Sequence, residues 1–238
     1  MSEANPYKRV LVKLSGEVLA GSASAGLDPE TVKKVASEVV LAAESGVQIA
    51  LVIGGGNIFR GGLGESLGMD RVTGDHMGML ATVINSLALA DSISSAGRNA
   101  VVMTSFAMET VADYYTVRKA SALLADNKIV IVAGGTGNPY FTTDTAATLR
   151  AVELKCDLMM KATKVDGVYD KDPAKHSDAK KIDKISYIDV IQNNLRVMDL
   201  TAISLCMENM LPIRVFNLFR DNCIKDALNG YAGGTDIL

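Results

Sequence analysis

Arg9-Val10-Leu11-Val12-Lys13-Leu14-Ser15-Gly16 is a short run of mainly branched apolar residues that stops at a serine and a glycine. Such a run reads as a buried β-strand that ends in a turn. The chain beyond it keeps returning to this form. Asp28 is placed to cap a helix with Pro29 in its first position; Val32, Val35, Ala36, Val39 and Ala43 make one apolar stripe, and Gly46 ends it. The strand Gln48 to Ile53 runs into Gly54-Gly55-Gly56. A helix from about His76 to Ala96 is expected to turn Leu80, Val83, Ile84, Leu87 and Ala90 inward, with Gly97 after its end. Further strands are expected at Ala100 to Met103, Ile129 to Ala133, Leu158 to Lys161 and Ile213 to Phe216. Helices are expected at Val117 to Ala125, Thr143 to Lys155, Tyr187 to Gln192, Leu200 to Asn209 and Asp221 to Asn229, and a charged excursion fills Lys164 to Lys184.

Strands alternating with helices imply an α/β fold with a mainly parallel sheet covered on both faces, because parallel neighbours need a crossover and a helix supplies it. No internal repeat or low-complexity linker interrupts the pattern, so residues 1–238 are expected to form a single domain. In open sheets of this kind ligands lie beyond the carboxyl ends of the strands. Here those ends carry Lys13-Leu14-Ser15-Gly16, Gly54-Gly55-Gly56-Asn57, Gly134-Gly135-Thr136-Gly137-Asn138, Lys161-Ala162-Thr163 and Asn217.

Composition narrows the function. With 238 residues at 48% hydrophobic content, a full core is within reach. A formal charge of −3 and 5% aromatic residues give no general attraction for nucleic acid and little to stack bases on, so a small-molecule ligand is expected and no nucleic acid. The apolar runs break after a few residues, short of the roughly 20 that cross a bilayer, and the acidic start Met1-Ser2-Glu3 does not resemble a secretory signal. The reading is a cytoplasmic protein with no membrane association. Cys156, Cys206 and Cys223 are odd in number and widely spaced, which reads as reduced core or surface thiols. Met77, Met79 and Met103 read as core residues.

A glycine run between a strand and a helix lets the backbone approach a ligand and present amide hydrogens at the positive end of the helix dipole. One such run is only a tight turn; several on one edge point to anions. The familiar nucleotide signatures are nevertheless absent. Gly21-Ser22-Ala23-Ser24-Ala25-Gly26 has Walker spacing but continues with Leu27-Asp28 in place of Lys and Ser or Thr, and Gly54-Gly55-Gly56 runs on into Asn57-Ile58-Phe59 without the dinucleotide pattern. Protein-kinase motifs are missing too.

The runs Lys13-Leu14-Ser15-Gly16, Ile53-Gly54-Gly55-Gly56-Asn57, Gly74-Asp75-His76-Met77-Gly78-Met79-Leu80-Ala81-Thr82, Thr136-Gly137-Asn138-Pro139-Tyr140-Phe141-Thr142-Thr143-Asp144, Lys161 to Tyr169 and Val197-Met198-Asp199 resemble those of the bacterial UMP kinases in the amino-acid kinase family. The resemblance extends from about Lys8 to Asn217. It implies an α/β/α sandwich and transfer of a phosphoryl group from ATP, with Mg2+ carried by the nucleotide, to UMP. It places Lys13 on the transferring group, Asp144 beside it as its orienting partner, and Asp199 as a second charged residue near the phosphates. Lys13, Leu14, Ser15, Gly16, Gly56 and Arg60 would hold ATP phosphates, and Thr163, Tyr169 and Asp172 would surround adenosine. Gly55, Asp75 and the loop Thr136, Gly137, Asn138, Pro139, Tyr140, Phe141, Thr142, Thr143 would hold UMP.

From the residues alone, Lys13 has the alternative reading of a strand-end lysine reaching for solvent, and Asp75 that of a helix N-cap. The resemblance further implies a homohexamer, with UTP inhibition and GTP activation as options; the candidate GTP loop, Gly21, Ser22, Ala23, Ser24, Ala25, Gly26, is small and plain. Met108 to Tyr115 matches no motif. A kinase for the carboxylate of an amino acid and a non-catalytic nucleotide sensor are the competing readings.

Overall fold

The computed structural model describes all residues except 1–5, 61–67, 172, 196 and 231–232. Its strands are β1 (Arg9–Leu14), β2 (Gln48–Ile53), β3 (Ala100–Thr104), β4 (Asp113–Tyr114), β5 (Ile129–Ala133), β6 (Leu158–Thr163), β7 (Val168–Tyr169), β8 (Lys181–Ile182), β9 (Lys184–Ile185), β10 (Ile213–Asn217) and β11 (Thr235–Ile237). Nine of them form one sheet in the order β4-β3-β5-β2-β1-β6-β10-β11-β9, while β7 and β8 make a small antiparallel ribbon. Every pairing within the large sheet is parallel except β10 with β11.

The helices are α1 (Pro29–Ala43), α2 (Arg71–Ser95), α3 (Val117–Ala125), α4 (Thr143–Glu153), α5 (Tyr187–Gln192), α6 (Leu200–Glu208) and α7 (Cys223–Leu228). Alternate residues of the central strands point to opposite faces. Val10, Val12 and Leu14 meet α1, α2 and α7, whereas Leu11, Val52 and Val132 meet α3 to α6. The architecture is an α/β/α sandwich. Burial on both sides explains why β5 is apolar throughout and why β1 carries the unbroken apolar run Val10 to Val12, rather than alternating.

Local signals hold well in α1. Asp28 Oδ1 accepts from the Thr31 amide at 2.8 Å, and Gly46 stops the helix with φ +81°. Helix α2 departs further from expectation. It starts at Arg71, and its N-cap is Asp70, whose carboxylate accepts from the amides of Val72 and Thr73; Asp75 is no cap. Its buried face carries Met79, Val83, Ala90 and Ile93, but also Thr82, Asn85 and Ser86. Leu80, Ile84 and Leu87, expected inside, are 46%, 49% and 37% exposed. The polar residues turn inward because backbone partners wait there. Asn85 Nδ2 donates to the Gly54 carbonyl at 2.7 Å, and Thr82 Oγ1 accepts from the Gly134 amide at 2.8 Å.

By length and composition this 25-residue helix is apolar enough to cross a bilayer, yet half of its most apolar window is buried in the fold. Met77 lies outside the core with Leu80, while Met79 and Met103 are buried. All three cysteines are free and buried. The strands β4, β9 and β11 went unforeseen because runs of two or three residues carry no periodicity. Tertiary pairing defines them: Arg214 on β10 forms an ion pair at 2.6 Å with Asp236 on β11.

Asn57 and Asn85 exchange side-chain hydrogen bonds at 3.0 and 2.7 Å beneath the turn after β2. Asn85→Leu leaves the Gly54 carbonyl and the Asn57 amide group buried without that partner. Urea unfolding is expected to show a loss of about 1–3 kcal/mol; an unchanged midpoint would count against this bracing.

Candidate active site

Strand β1 leads to β2 on one side of the sheet, and its neighbour β6 leads on to β10 on the other. Where adjacent strands send their connections apart, a crevice opens at their carboxyl ends. Lys13 and Lys161 stand at that point, as direct register partners on β1 and β6. Asp144 receives both. Lys13 Nζ is 2.8 Å from Oδ1 and Lys161 Nζ is 2.6 Å from Oδ2, with the three side chains only 12–14% exposed. Burial alone would push the Asp144 pKa up, but the two ammonium groups outweigh it and hold the carboxyl below its ordinary value. Lys161 is held below the usual lysine value by burial and by the like charge of Lys13, with Asp144 opposing. Its ammonium also donates to the Val197 carbonyl.

Asp144 reaches this place because α4 begins there. Thr142 caps the helix, accepting from the amides of Asp144 at 3.1 Å and Thr145 at 3.2 Å, and an acid in the first turn suits the helix dipole. Thr142 in turn donates to Asp199 Oδ2, and Thr145 Oγ1 donates to Asp199 Oδ1 at 2.8 Å. Asp199 is itself the N-cap of α6, accepting from Ala202. It therefore clamps two helix starts together and contributes negative potential at Lys161.

The turns after β1 and β2 touch. A Cβ on Gly16 would lie 2.3 Å from the Gly54 carbonyl oxygen, so only glycine permits the contact. Leu14 is buried and its carbonyl accepts from the Gly54 amide at 2.9 Å; Ser15 opens the short helical turn Gly16–Val18. Arg60 donates to the Gly56 carbonyl at 3.1 Å and pairs with Glu17 at 2.8 Å. The loop Gly21 to Gly26 is joined to the same edge, since Asn57 accepts from the Gly26 amide and donates to the Gly26 carbonyl. Ser22 to Ala25 are exposed.

A cavity of about 290 Å³ opens beside this edge. Gly55 and Gly56 form one wall, Arg71, Gly74, Asp75 and Gly78 of α2 another, and Gly135, Thr136, Phe141, Thr142 and Thr143 a third. Asp75 sits within α2. It accepts a two-point bond from Arg71 Nε at 3.0 and 2.9 Å and another from the Tyr140 amide at 2.7 Å. Tyr140 has φ +71°, and the Arg71 guanidinium stands 5.4 Å from its ring centre. Thr136 Oγ1 and Asn138 close a local turn that carries Gly137 and Pro139 towards Tyr140.

Thr163 ends β6 and donates to the Val165 carbonyl at 2.6 Å, while Tyr169 in the β7–β8 ribbon donates to Asp166 at 2.6 Å. Asp172 lies outside the described residues. A second cavity, about 410 Å³, lies on the far side of the Lys161–Asp144 pair among Val190, Leu195, Met198 and Ile203. Among the described residues no group of three or more His, Cys, Asp or Glu side chains could hold a metal ion. Lys161 and Arg71 were missed as site residues. Lys161 was detectable as the counterpart of Lys13 at a strand end, and Arg71 as the partner one helical turn before Asp75.

The amino acid kinase family model matches residues 8–217. The chain is 52% identical over 229 residues to uridylate kinase from Pseudomonas syringae pv. syringae, covering 96% of this chain and 93% of that protein. The crystal structure of UMP kinase from Bacillus anthracis superposes with a TM-score of 0.95 at 39% identity, covering 98% of this chain and 96% of that one. That of uridylate kinase from Archaeoglobus fulgidus gives 0.76 at 28% identity, with 96% and 99% covered.

Asp144→Asn keeps the shape of the cluster and removes the anion that bridges Lys13 and Lys161, leaving two buried ammonium groups side by side. Denaturant unfolding is expected to show a loss of about 3 kcal/mol or more. Stability within error of the unmodified chain would mean that the lysines find other partners.

Proposed function

The chain belongs to the amino acid kinase family, and from that premise we propose that it transfers the γ-phosphoryl group of MgATP to UMP, yielding ADP and UDP, in pyrimidine nucleotide biosynthesis. The observation that carries this reading is the Lys13–Asp144–Lys161 cluster lying between touching glycine turns and a cavity that contains Asp75. In phosphoryl transfer the protein mainly aligns two substrates and offsets charge on the phosphate oxygens. Lys13 and Lys161, oriented by one carboxylate, supply that positive charge where the transferred group passes. The acceptor is a phosphate monoester with a second pKa of about 6, already largely dianionic at neutral pH, so no general base is needed.

UMP occupies the 290 Å³ cavity, with Asp75 accepting from the ribose hydroxyls and Gly55 and Thr136 to Thr143 enclosing the base and phosphate. ATP phosphates lie over Lys13, Leu14, Ser15, Gly16 and Gly56, with Arg60 turning from Glu17 to an anion of higher charge. Thr163, Tyr169 and Asp172 receive adenosine. Both oxygens of Asp144 face lysines and both of Asp199 accept hydroxyls, which leaves Mg2+ to the ATP oxygens. When bound with the nucleotide, the ion would supply positive charge to the phosphates alongside that of Lys13 and Lys161.

Residues 1–238 act as one domain in a cytoplasmic homohexamer. The stripe Met77, Leu80, Ile84 and Leu87, exposed at helical spacing on α2, supports a second copy as its cover. Inhibition by UTP fits competition at the UMP cavity. The loop Gly21 to Gly26 is the candidate site for a GTP effector.

A coupled ADP-release assay with UMP, CMP, AMP and amino acids tests the activity. Turnover with UMP is expected, and none would overturn the proposal. Lys13→Ala is expected to lower kcat by about 100-fold or more with UMP affinity changed only a few-fold.

For assembly, the double variant Leu80→Asp and Ile84→Asp is expected to give a smaller particle by light scattering. An unchanged mass would remove α2 from the subunit contact.

A further inference from the structure

The stretch from Ser105 to Tyr115, which includes the motif-less Met108 to Tyr115, connects to the cavity through one buried side chain. Arg150 on α4 is 7% exposed, and its guanidinium meets four partners. Nη1 donates to Glu153 Oε2 at 2.8 Å; Nη2 donates to Ser105 Oγ at 3.0 Å and approaches the Gly135 carbonyl oxygen at 3.5 Å; and the plane lies 4.4 Å from the Tyr115 ring centre. Tyr115 donates its hydroxyl to the same Glu153 oxygen at 2.8 Å. Ser105 Oγ completes the circuit by donating to the Gly135 carbonyl at 2.7 Å. A buried guanidinium is costly unless paired, and here an acid, a hydroxyl, a carbonyl and an aromatic face share it.

The Gly135 carbonyl is thus held from two directions, both behind the cavity wall that Gly135 and Thr136 form. In a planar trans peptide the carbonyl of one residue and the amide hydrogen of the next point opposite ways. Pulling the Gly135 oxygen back towards Ser105 and Arg150 therefore turns the Thr136 N–H forward. Gly137 fits the same brace, since a Cβ there would lie 3.1 Å from the Ser105 carbonyl oxygen.

We propose that Arg150, set by Glu153 and Tyr115, is a positioning residue that fixes the Gly135–Thr136 peptide with its N–H facing the acceptor nucleotide. This rests on the assignment of that cavity to UMP. Arg150 touches no substrate and acts only through the turn.

Arg150→Met and Arg150→Lys, with Ser105→Ala as a milder probe, are to be compared for the KM of UMP, the KM of ATP, kcat and Tm, and for hydrogen exchange across 134–142. Arg150→Met is expected to raise the UMP KM about tenfold while the ATP KM stays within about twofold, and to speed exchange in that segment. Arg150→Lys should fail to restore it, because one ammonium cannot reach Glu153, Ser105 and Gly135 together. A lowered Tm with both KM values unchanged, or both raised alike, and with normal exchange at 134–142, would overturn the proposal. If the unmodified chain does not turn over UMP, the activity assignment fails by itself and hydrogen exchange decides the positioning role. Should Arg150→Met not fold, Ser105→Ala carries the same readouts, with the UMP KM expected to rise and the ATP KM to hold; an unchanged UMP KM and exchange there would overturn the proposal.

Discussion

Two ammonium groups on neighbouring parallel strands repel each other, and at the ends of β1 and β6 the sheet register sets how close they must come. Asp144 is what makes the pairing of Lys13 with Lys161 tolerable. A carboxylate shared by two cations in a poorly hydrated crevice is held far more firmly than an exposed pair, because its separation would leave charges buried and unmatched. The start of α4 is fixed by that demand. Thr142 caps it, Asp199 holds Thr142 and Thr145, and Asp199 also caps α6, so three elements converge on one anion.

A second constraint comes from the backbone of the turns. Gly16 and Gly54 approach too closely for any side chain, and the carbonyl of Gly54 needs a donor inside the fold. Asn85 supplies it, as Thr82 accepts from Gly134. These two polar residues, with Ser86, occupy the inward face of α2, which rotates the helix until Leu80, Ile84 and Leu87 face out. The satisfied turns and the exposed apolar stripe have the same cause. A helix with polar groups inside and leucines outside is a poor surface for a lone chain and a good one for a subunit contact.

Much of the frame was legible locally. Strands β1, β2 and β5 and helices α1 and α3 agree with the sequence reading at both ends, because apolar runs, Asp28 as a cap and Gly46 as a stop act within a few residues of themselves. Lys13, Gly16 and Gly55 stood out because strand ends and glycine runs mark the ligand edge of a parallel sheet, whereas Asp144 was singled out only by the resemblance. Asp75 lines the cavity beside the glycine turns, but the cap role read for it belongs to Asp70.

The sequence by itself determined the alternation of strands and helices, the α/β class and the edge where glycine turns and lysines gather, since each depends on periodicity and turn chemistry over short spans. Only the tertiary structure decided that Lys161 shares Asp144 with Lys13, that α2 buries Asn85 and exposes Ile84, and that Arg150 reaches across to Ser105 and Gly135. Those contacts join residues far apart in the chain, and no local pattern records them. They arise from the sheet order that sets β6 beside β1 and from buried polar groups finding partners where the packed chain places them.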